Sequence, residues 1–452
     1  MANASTRELT IHELVLINSV GDMRSLSGGG TKVWNVINIY EDIFSPVVSG
    51  SIQLIDGVDL FSSMSLHGNE YLKISFSRPG NDSPSERYNR TFRIYKATER
   101  KPEGSAQSYV LHFCSEELVF SNQITLSRKL SGATATNQIL NICLRDLKTN
   151  SARINLANFE QSVGTTDLIL TQYKPFEAIE YLSSRAFNDT ESTFLFFENK
   201  YGFNFMSLET LFTRKQPLTK INYNTAKITQ DQSTAAYANA NDVVNFRFAK
   251  SFDVLDATKS STYNGRMFTL DLITQKYKMI DYSLVNEKNQ RQLMDGFFPI
   301  NQAKNRNEVP LFAEFGTEVN YSLTNQGRMN NEYFIAKGVR SVDTNIEKTL
   351  LQRKVQLNLL KSTELQCIVP ANQLYTVGSL IEFDMPAFMP NTETQRKIDP
   401  YHSGKYLITG VRHVITDAAG SQTILQLCKN SIAIPFDTPG NNINAYNTAR
   451  NF

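Results

Sequence analysis

Apolar and polar residues alternate one by one through the first quarter of the chain, and that alternation leaves room for little but a sheet. Leu72, Ile74 and Phe76 alternate with Lys73, Ser75 and Ser77. Phe92 and Ile94 alternate with Arg93 and Tyr95, and Tyr109, Leu111 and Phe113 with Val110 and His112. Successive side chains of a strand point to opposite faces, so this period of two predicts strands with one face buried. Turn-forming stretches separate the runs: Gly28-Gly29-Gly30, Asp56-Gly57, Pro79-Gly80-Asn81-Asp82 and Pro102-Glu103-Gly104. Short strands at this spacing predict an antiparallel barrel or sandwich.

The period changes near residue 130. Leu140, Cys143, Leu144 and Leu147 fall at helical spacing, with Ser131 and Thr134 as candidate caps. A second helix is expected from Pro175, where proline suits the first turn, with Phe176, Ile179, Leu182 and Ala186 as its apolar stripe. An aromatic hairpin follows: Phe194 to Phe197, a turn at Asn199-Lys200-Tyr201-Gly202, then Phe203 and Phe205. Residues 215–335 are polar and carry only fragments of pattern, Val243–Phe248 and Phe268–Ile273. Ile346, Leu350 and Leu351 predict one more helix. Strands return at Leu365–Val369, Leu380–Phe383, Tyr406–Val414 and Thr423–Leu427, with Asp417-Ala418-Ala419-Gly420 turning between the last two. From Pro435 onward the chain is Asn-rich and apolar-poor, and is expected to order only against a partner. A strand-rich unit therefore occurs twice, once towards each end.

Composition excludes several function classes. A net charge of +2 from 46 basic and 44 acidic residues is too small for a general nucleic-acid or membrane-surface binder. The four cysteines, Cys114, Cys143, Cys367 and Cys428, form no CxxC pair and read as small buried residues in a reducing compartment. No signal-peptide pattern and no run of about 18 apolar residues is present, so synthesis in a cytoplasm is expected. The sequence contains no GxxxxGK[ST], HExxH or GxSxG motif. His12, His67, His112, His402 and His413 show no i, i+4 spacing that would mark a metal site, and His112 and His413 read as half-exposed strand residues. Glu13 and Asp22 are nine residues apart, like the carboxylate pair of phage-type lysozymes, but Glu13 lies in a strand pattern with no following helix. Glu116 and Glu117, read as strand neighbours, would point to opposite faces. Without a following helix pattern Gly28–Gly30 is a turn rather than a phosphate loop, and without interleaved Arg or Lys the aromatics at 194–205 are core rather than a base-stacking platform. No catalytic, cofactor or metal residue is assigned.

Several stretches, in order along the chain, resemble the central hub proteins of contractile phage tails. They are Ile39-Tyr40-Glu41-Asp42-Ile43-Phe44-Ser45-Pro46-Val47-Val48-Ser49-Gly50 and Gly68-Asn69-Glu70-Tyr71-Leu72 near the start. In the middle come Lys174-Pro175-Phe176-Glu177-Ala178-Ile179, Arg185-Ala186, Phe194–Phe197, Glu198-Asn199, Tyr201-Gly202-Phe203 and Ser207-Leu208-Glu209. Val377-Gly378, Ser403-Gly404-Lys405-Tyr406-Leu407 and Val411-Arg412-His413 follow towards the end. The similarity spans about 35–430 with a weak stretch at 215–335.

The resemblance implies a mainly β fold with minor α: two tail-tube-like antiparallel β-barrels built from discontinuous segments, plus a small insertion domain. Residues 1–125 with 206–275 would form the first barrel and 126–205 with 341–435 the second. Residues 276–340 would be the insertion and 436–452 a flexible tail. It further implies a structural, non-enzymatic hub in the virion tail baseplate, assembled in the host cytoplasm. The expected form is a homotrimer adapting the sixfold tail tube to the threefold central spike, with DNA in transit during genome ejection. Tube and spike proteins are the expected partners, with tape-measure and baseplate wedge proteins as further candidates, and no small-molecule substrate. The rival readings are a tail-associated peptidoglycan hydrolase and a hub or spike component of a phage-derived injection machine.

Overall fold

The computed structural model describes residues 9–27, 33–78, 83–164, 166–188, 192–213, 217–223, 242–271, 275–284, 293–297, 319–324, 346–387, 398–399, 401–416 and 420–434. The Gly28–Gly30 run, the Pro79–Asp82 turn, the Asp417–Ala419 turn, much of the expected 276–340 insertion and the segment from Pro435 lie outside them.

The alternating runs at the start become seven strands: β1 (Thr10–Ile17), β2 (Met23–Ser25), β3 (Trp34–Asp42), β4 (Ser49–Asp56), β5 (Tyr71–Ser77), β6 (Tyr88–Glu103) and β7 (Ala106–Cys114). All their ladders are antiparallel, in the order β3-β4-β7-β6-β5-β1-β2. The apolar member of each alternating pair faces inward. Leu72, Ile74, Phe76, Phe92, Tyr109, Leu111 and Phe113 are all buried in one core with Leu14, Leu16, Ile37, Ile39, Ile52 and Leu54. At about 1.5–3 kcal/mol for each such side chain, this burial is the main stabilising term of the unit.

The middle of the chain folds as β8 (Leu126–Ala133), β9 (Ile154–Phe159), β10 (Thr166–Tyr173), β11 (Phe194–Asn199) and β12 (Gly202–Ser207). Between β8 and β9 a helix, Ala135–Asn141, starts at Thr134, whose hydroxyl accepts from the Asn137 amide, and runs on into a single wide turn at Ile142–Asp146. The helix Pro175–Ser183 buries Phe176, Ile179 and Leu182 as its spacing predicts, and its Glu177 accepts from the Lys174 amide at 2.9 Å. Together with the β11–β12 hairpin these elements enclose a core of their own, which Val47 joins from the N-terminal strands and against which Leu118 and Ile124 pack. Residues 126–205 are thus packed as a separate layer.

Then come β13 (Lys220–Asn222), β14 (Asn245–Lys250), β15 (Asn264–Asp271), β16 (Lys276–Ser283), β17 (Val319–Thr324), β18 (Thr363–Pro370), β19 (Leu380–Asp384), β20 (Gly404–Thr416) and β21 (Gln422–Lys429). Strands β16, β15 and β17 form a small sheet, against which Leu351, Val355 and Leu359 of the helix Ile346–Leu360 pack. The remaining strands enclose the C-terminal core in the order β14-β18-β21-β20, with β19 on β20 and β13 on β19.

One strand joins the halves. The first part of β20 pairs with β19, a bulge at Ile408/Gly410 shifts the register, and the last part pairs with β3 from Gly410↔Asp42 to Thr416↔Val36. Ile415, Ile37, Ile52 and Leu111 therefore stand in register across both halves, all buried.

The mainly β class with minor helix is what the pattern predicts, and the pairing of one segment differs from the expected grouping. Thirteen of the described strands make one continuous sheet curled around two cores, and among the described residues no ladder closes either half into a barrel. The segment 206–275 was grouped with 1–125, yet β13 and β14 pair with β19 and β18 of the C-terminal unit. The alternation of Phe246 and Phe248 in β14 marks one face of a short strand but does not name its partner strand.

Candidate functional site

The residues with catalytic or metal-binding chemistry are dispersed. Glu13 pairs with Lys73 across β1 and β5 at 2.5 Å, and the Asp22 carboxylate accepts from the Asn18 side chain at 2.9 Å. His12 meets Ser77 at 2.8 Å, His112 meets Thr98 at 2.8 Å, and His402 meets Asp399 at 3.0 Å. Among the described residues no three His, Cys, Asp or Glu side chains gather as metal ligands. All four cysteines are buried and unpaired. Glu116 and Glu117 are not strand neighbours: they open the helix Glu116–Gln123, where carboxylates suit the positive helix end. Glu116 accepts from Tyr71, and Glu117 binds Arg153. His413 is not half-exposed but buried, with Nδ1 3.2 Å from the Thr423 hydroxyl and its ring edge-on to Phe76 and Tyr88. Burial, with Lys200 acting in the same sense, pushes its pKa down to about 3, so the ring is neutral.

The charged groups that do converge meet where the three cores touch, at the tip of the β11–β12 hairpin. Phe194, Phe196, Phe203 and Phe205 belong to the middle core and Leu195 and Phe197 to the C-terminal core, so the hairpin is buried on both faces. Its turn needs glycine: Gly202 has φ +117°, and a Cβ there would stand 2.0 Å from the Arg153 carbonyl oxygen. That close approach brings Arg153 beside the hairpin end.

Glu198, fully buried on β11, is the hub of the junction. One carboxylate oxygen is paired by both Arg90 of β6 and Arg153. The other accepts from the Ser115 hydroxyl at 2.5 Å and the Val48 amide at 2.8 Å. Burial alone would raise the Glu198 carboxyl, but the two guanidinium groups and these hydrogen bonds hold it below the ordinary carboxylate range. Arg90 also donates to the Asn199 carbonyl at 2.9 Å, and Arg153 makes a two-oxygen bond to Glu117 at 2.6 and 2.8 Å.

The adjoining residues extend the junction to the C-terminal unit. The Asn199 side chain donates to the Val377 carbonyl at 3.3 Å, and the Lys200 amide donates to the Thr376 hydroxyl at 3.3 Å. Thr376 in turn donates to Glu41 of β3 at 2.5 Å, and the Val377 amide reaches the same carboxylate oxygen at 3.2 Å. Burial pushes the Glu41 carboxyl up to about 7 in spite of those two bonds. Burial also pushes the Lys200 ammonium down to about 8, and its Nζ donates to the Glu86 carbonyl at 2.5 Å. Every member is tied to a different segment, an arrangement suited to fixing the relative positions of three cores rather than to turning over a substrate. Sequence reasoning placed Glu198 and Lys200 in an aromatic hairpin but assigned neither a role. Two charges interrupting a run of phenylalanines were the available signal.

No protein-family profile matches the chain, and no curated protein matches it by sequence. Solved structures do. A tail protein from Neisseria meningitidis superposes with a TM-score of 0.50 at 9% identity, covering 93% of this chain and 97% of that one. A 43 kDa prophage tail protein from Shewanella oneidensis superposes with a TM-score of 0.51 at 10% identity, covering 93% of this chain and 99% of that one. At such identity the likeness is one of fold, and it runs nearly end to end through both chains. In agreement with the resemblance to tail hubs that its sequence carries, the chain has the fold of phage tail proteins.

Proposed function

We propose that the chain is a structural hub of a phage-tail baseplate, a trimeric ring joining the sixfold tail tube to the threefold central spike and leaving a channel for DNA. The observation that carries this reading is the end-to-end match to tail proteins, on a fold whose two sheet halves, each with its own core, are joined through β20 and β3. Two strand-rich units per chain, repeated three times, would present six similar edges to the tube and three to the spike. A near-neutral chain suits a conduit, because a strongly cationic lumen would hold DNA by counterion release. Tube and spike proteins are then the direct partners, and the baseplate of the virion is the site of action. Residues 10–115 and 220–250 with 360–432 would be the two tube-like units, and 126–205 a layer clamped between them.

Light scattering on the purified protein should give about three times the 51.1 kDa chain mass. Electron cryo-microscopy of the ring should show six similar lobes. A stable monomer or dimer at micromolar concentration rejects the hub, and a trimer without six similar lobes rejects the adaptor mechanism.

A further inference from the structure

Residues 371–378, between β18 and β19, form no strand, and groups from other units hold them. The Arg78 amide, just after β5, donates to the Gln373 side-chain oxygen at 2.9 Å. From the hairpin tip Asn199 and Lys200 reach Val377 and Thr376. From β3 the Glu41 carboxyl takes the Thr376 hydroxyl and the Val377 amide on one oxygen, Oε2. A segment held by scattered bonds rather than by a ladder is the kind of element that opens locally.

Glu41 differs from Glu198 in what compensates it. Two guanidinium groups pair with Glu198, whereas the second oxygen of the buried Glu41, Oε1, has no hydrogen-bond partner among the described residues. Charge on such an oxygen is strongly unfavourable, so the acid is neutral. Its proton belongs on Oε1, because Oε2 already accepts twice. The surrounding groups allow this. Arg90 of β6 favours the charged form and Glu198 of β11 opposes it. Tyr88 of β6 and Tyr375 of the segment have unpartnered hydroxyls whose pKa burial pushes up, so both are neutral. His413, diagonal to Glu41 on the same face of the β3–β20 ladder, is neutral as well. At the hairpin tip Lys200 bonds the Glu86 carbonyl, and the Tyr201 hydroxyl is pushed up by burial. Beside this end of β3, strand β4 brings only Ser49 and Gly50.

We infer that Glu41 is a proton-operated latch: while neutral it holds residues 371–378 against β3, and loss of its proton lets that segment open to water while the β3–β20 ladder stays shut. Ionised, Oε1 carries charge without a donor, near the charge of Glu198, and water admitted by the opening supplies the missing donors. The inference does not depend on the hub reading. In the closed form burial holds the carboxyl up at about 7, and in the open form it returns towards the ordinary 4.5. Opening is therefore most disfavoured below about pH 4.5, becomes easier as pH rises, and gains nothing further above about 7.

Amide hydrogen exchange of the full-length chain tests this, converted to opening constants so that the intrinsic pH dependence of exchange is removed. The reporter is the Val377 amide, whose acceptor is Glu41. In Glu41→Gln an oxygen remains for both donors but nothing ionises. The ratio of the Val377 opening constant in the native chain to that in Glu41→Gln should rise about tenfold per pH unit between about 4.5 and 7. A ratio that does not change with pH overturns the latch. So does a Val377 amide that opens only together with the β3–β20 ladder amides, with the same constant, because the segment is then no separate moving part. If Glu41→Gln does not fold, His413→Asn decides. It keeps Glu41 and removes the buried group that titrates in the opposite sense, so its Val377 opening constant should itself rise over that window. A flat profile there overturns the latch.

Discussion

At the scale of single residues, the junction around Glu198 makes the strongest predictions. Removing one partner of a buried ion pair leaves the other uncompensated, so Glu198→Ala should lower unfolding stability by about 3–5 kcal/mol in urea denaturation. Replacing Arg90 and Glu198 together by methionine should cost less than the sum of the single changes. Additive effects would show that the pair is not coupled. Two further residues give opposite pH dependences. Glu41 keeps its proton in the folded chain up to about pH 7, against an ordinary value of 4.5. Its stabilising contribution is complete below pH 4.5 and is lost as pH rises through about 7. His413 stays neutral in the fold down to about pH 3, against an ordinary 6.5, so its contribution is complete above 6.5 and is lost as pH falls towards 3. Between pH 4.5 and 6.5 the two slopes cancel in the native chain. Glu41→Gln should therefore lose stability as pH falls through that window, by up to about 1.4 kcal/mol per unit, and His413→Asn should gain it. Parallel stability–pH curves for the native chain and Glu41→Gln rule the assignment out.

At the scale of elements, the β11–β12 turn depends on a backbone shape that only glycine adopts comfortably. Gly202→Ala meets both a φ of +117° and the Arg153 carbonyl, and should cost at least about 2 kcal/mol in thermal unfolding. Gly21→Ala is the control: its φ is +102° with nothing within 4 Å of the added carbon, so it should cost less. Equal losses at the two positions would mean that the contact with Arg153 is unimportant. The hairpin also shows where the sequence was legible. Strands β5, β6, β7 and β21, and the helix Pro175–Ser183, are set by local periodicity, and the structure places them where alternation and capping put them. The attachment of β13 and β14 to the C-terminal unit was not legible, because three-residue and six-residue strands in polar surroundings carry no register. Nor was the junction: Glu41, Arg90, Glu117 and Arg153 lie far apart in sequence, and what selects them is mutual burial, a property of the packed cores. His413 reads as half-exposed because alternation separates the two faces of a strand without saying which is covered: His413 shares the buried face with Val411 and Ile415, while Arg412 on the other face is exposed.

At the scale of the molecule, the acids that a lysozyme-like reading would need are engaged elsewhere, Glu13 with Lys73 and Asp22 with the turn at Asn18. Purified protein incubated with peptidoglycan should release no soluble fragments. Release that disappears in Glu13→Gln would overturn the structural reading. The sheet that unites the halves has a further consequence, for synthesis rather than for function. The strand that completes the N-terminal half comes from the far end of the chain: Arg412 of β20 meets Asn38 of β3 across 374 residues. At roughly 5–20 residues per second, the ribosome needs about 20–75 s to deliver β20 after β3 has emerged. For that interval a nearly finished sheet stands with the edge of β3 uncovered, its Ile37 and Ile39 available to any other nascent chain. Pairing over such a separation is also slow to find once the strand arrives. Soluble yield should therefore rise when expression is slowed and cooled or when a holdase chaperone is supplied, and a fragment ending before β18 should aggregate through β3.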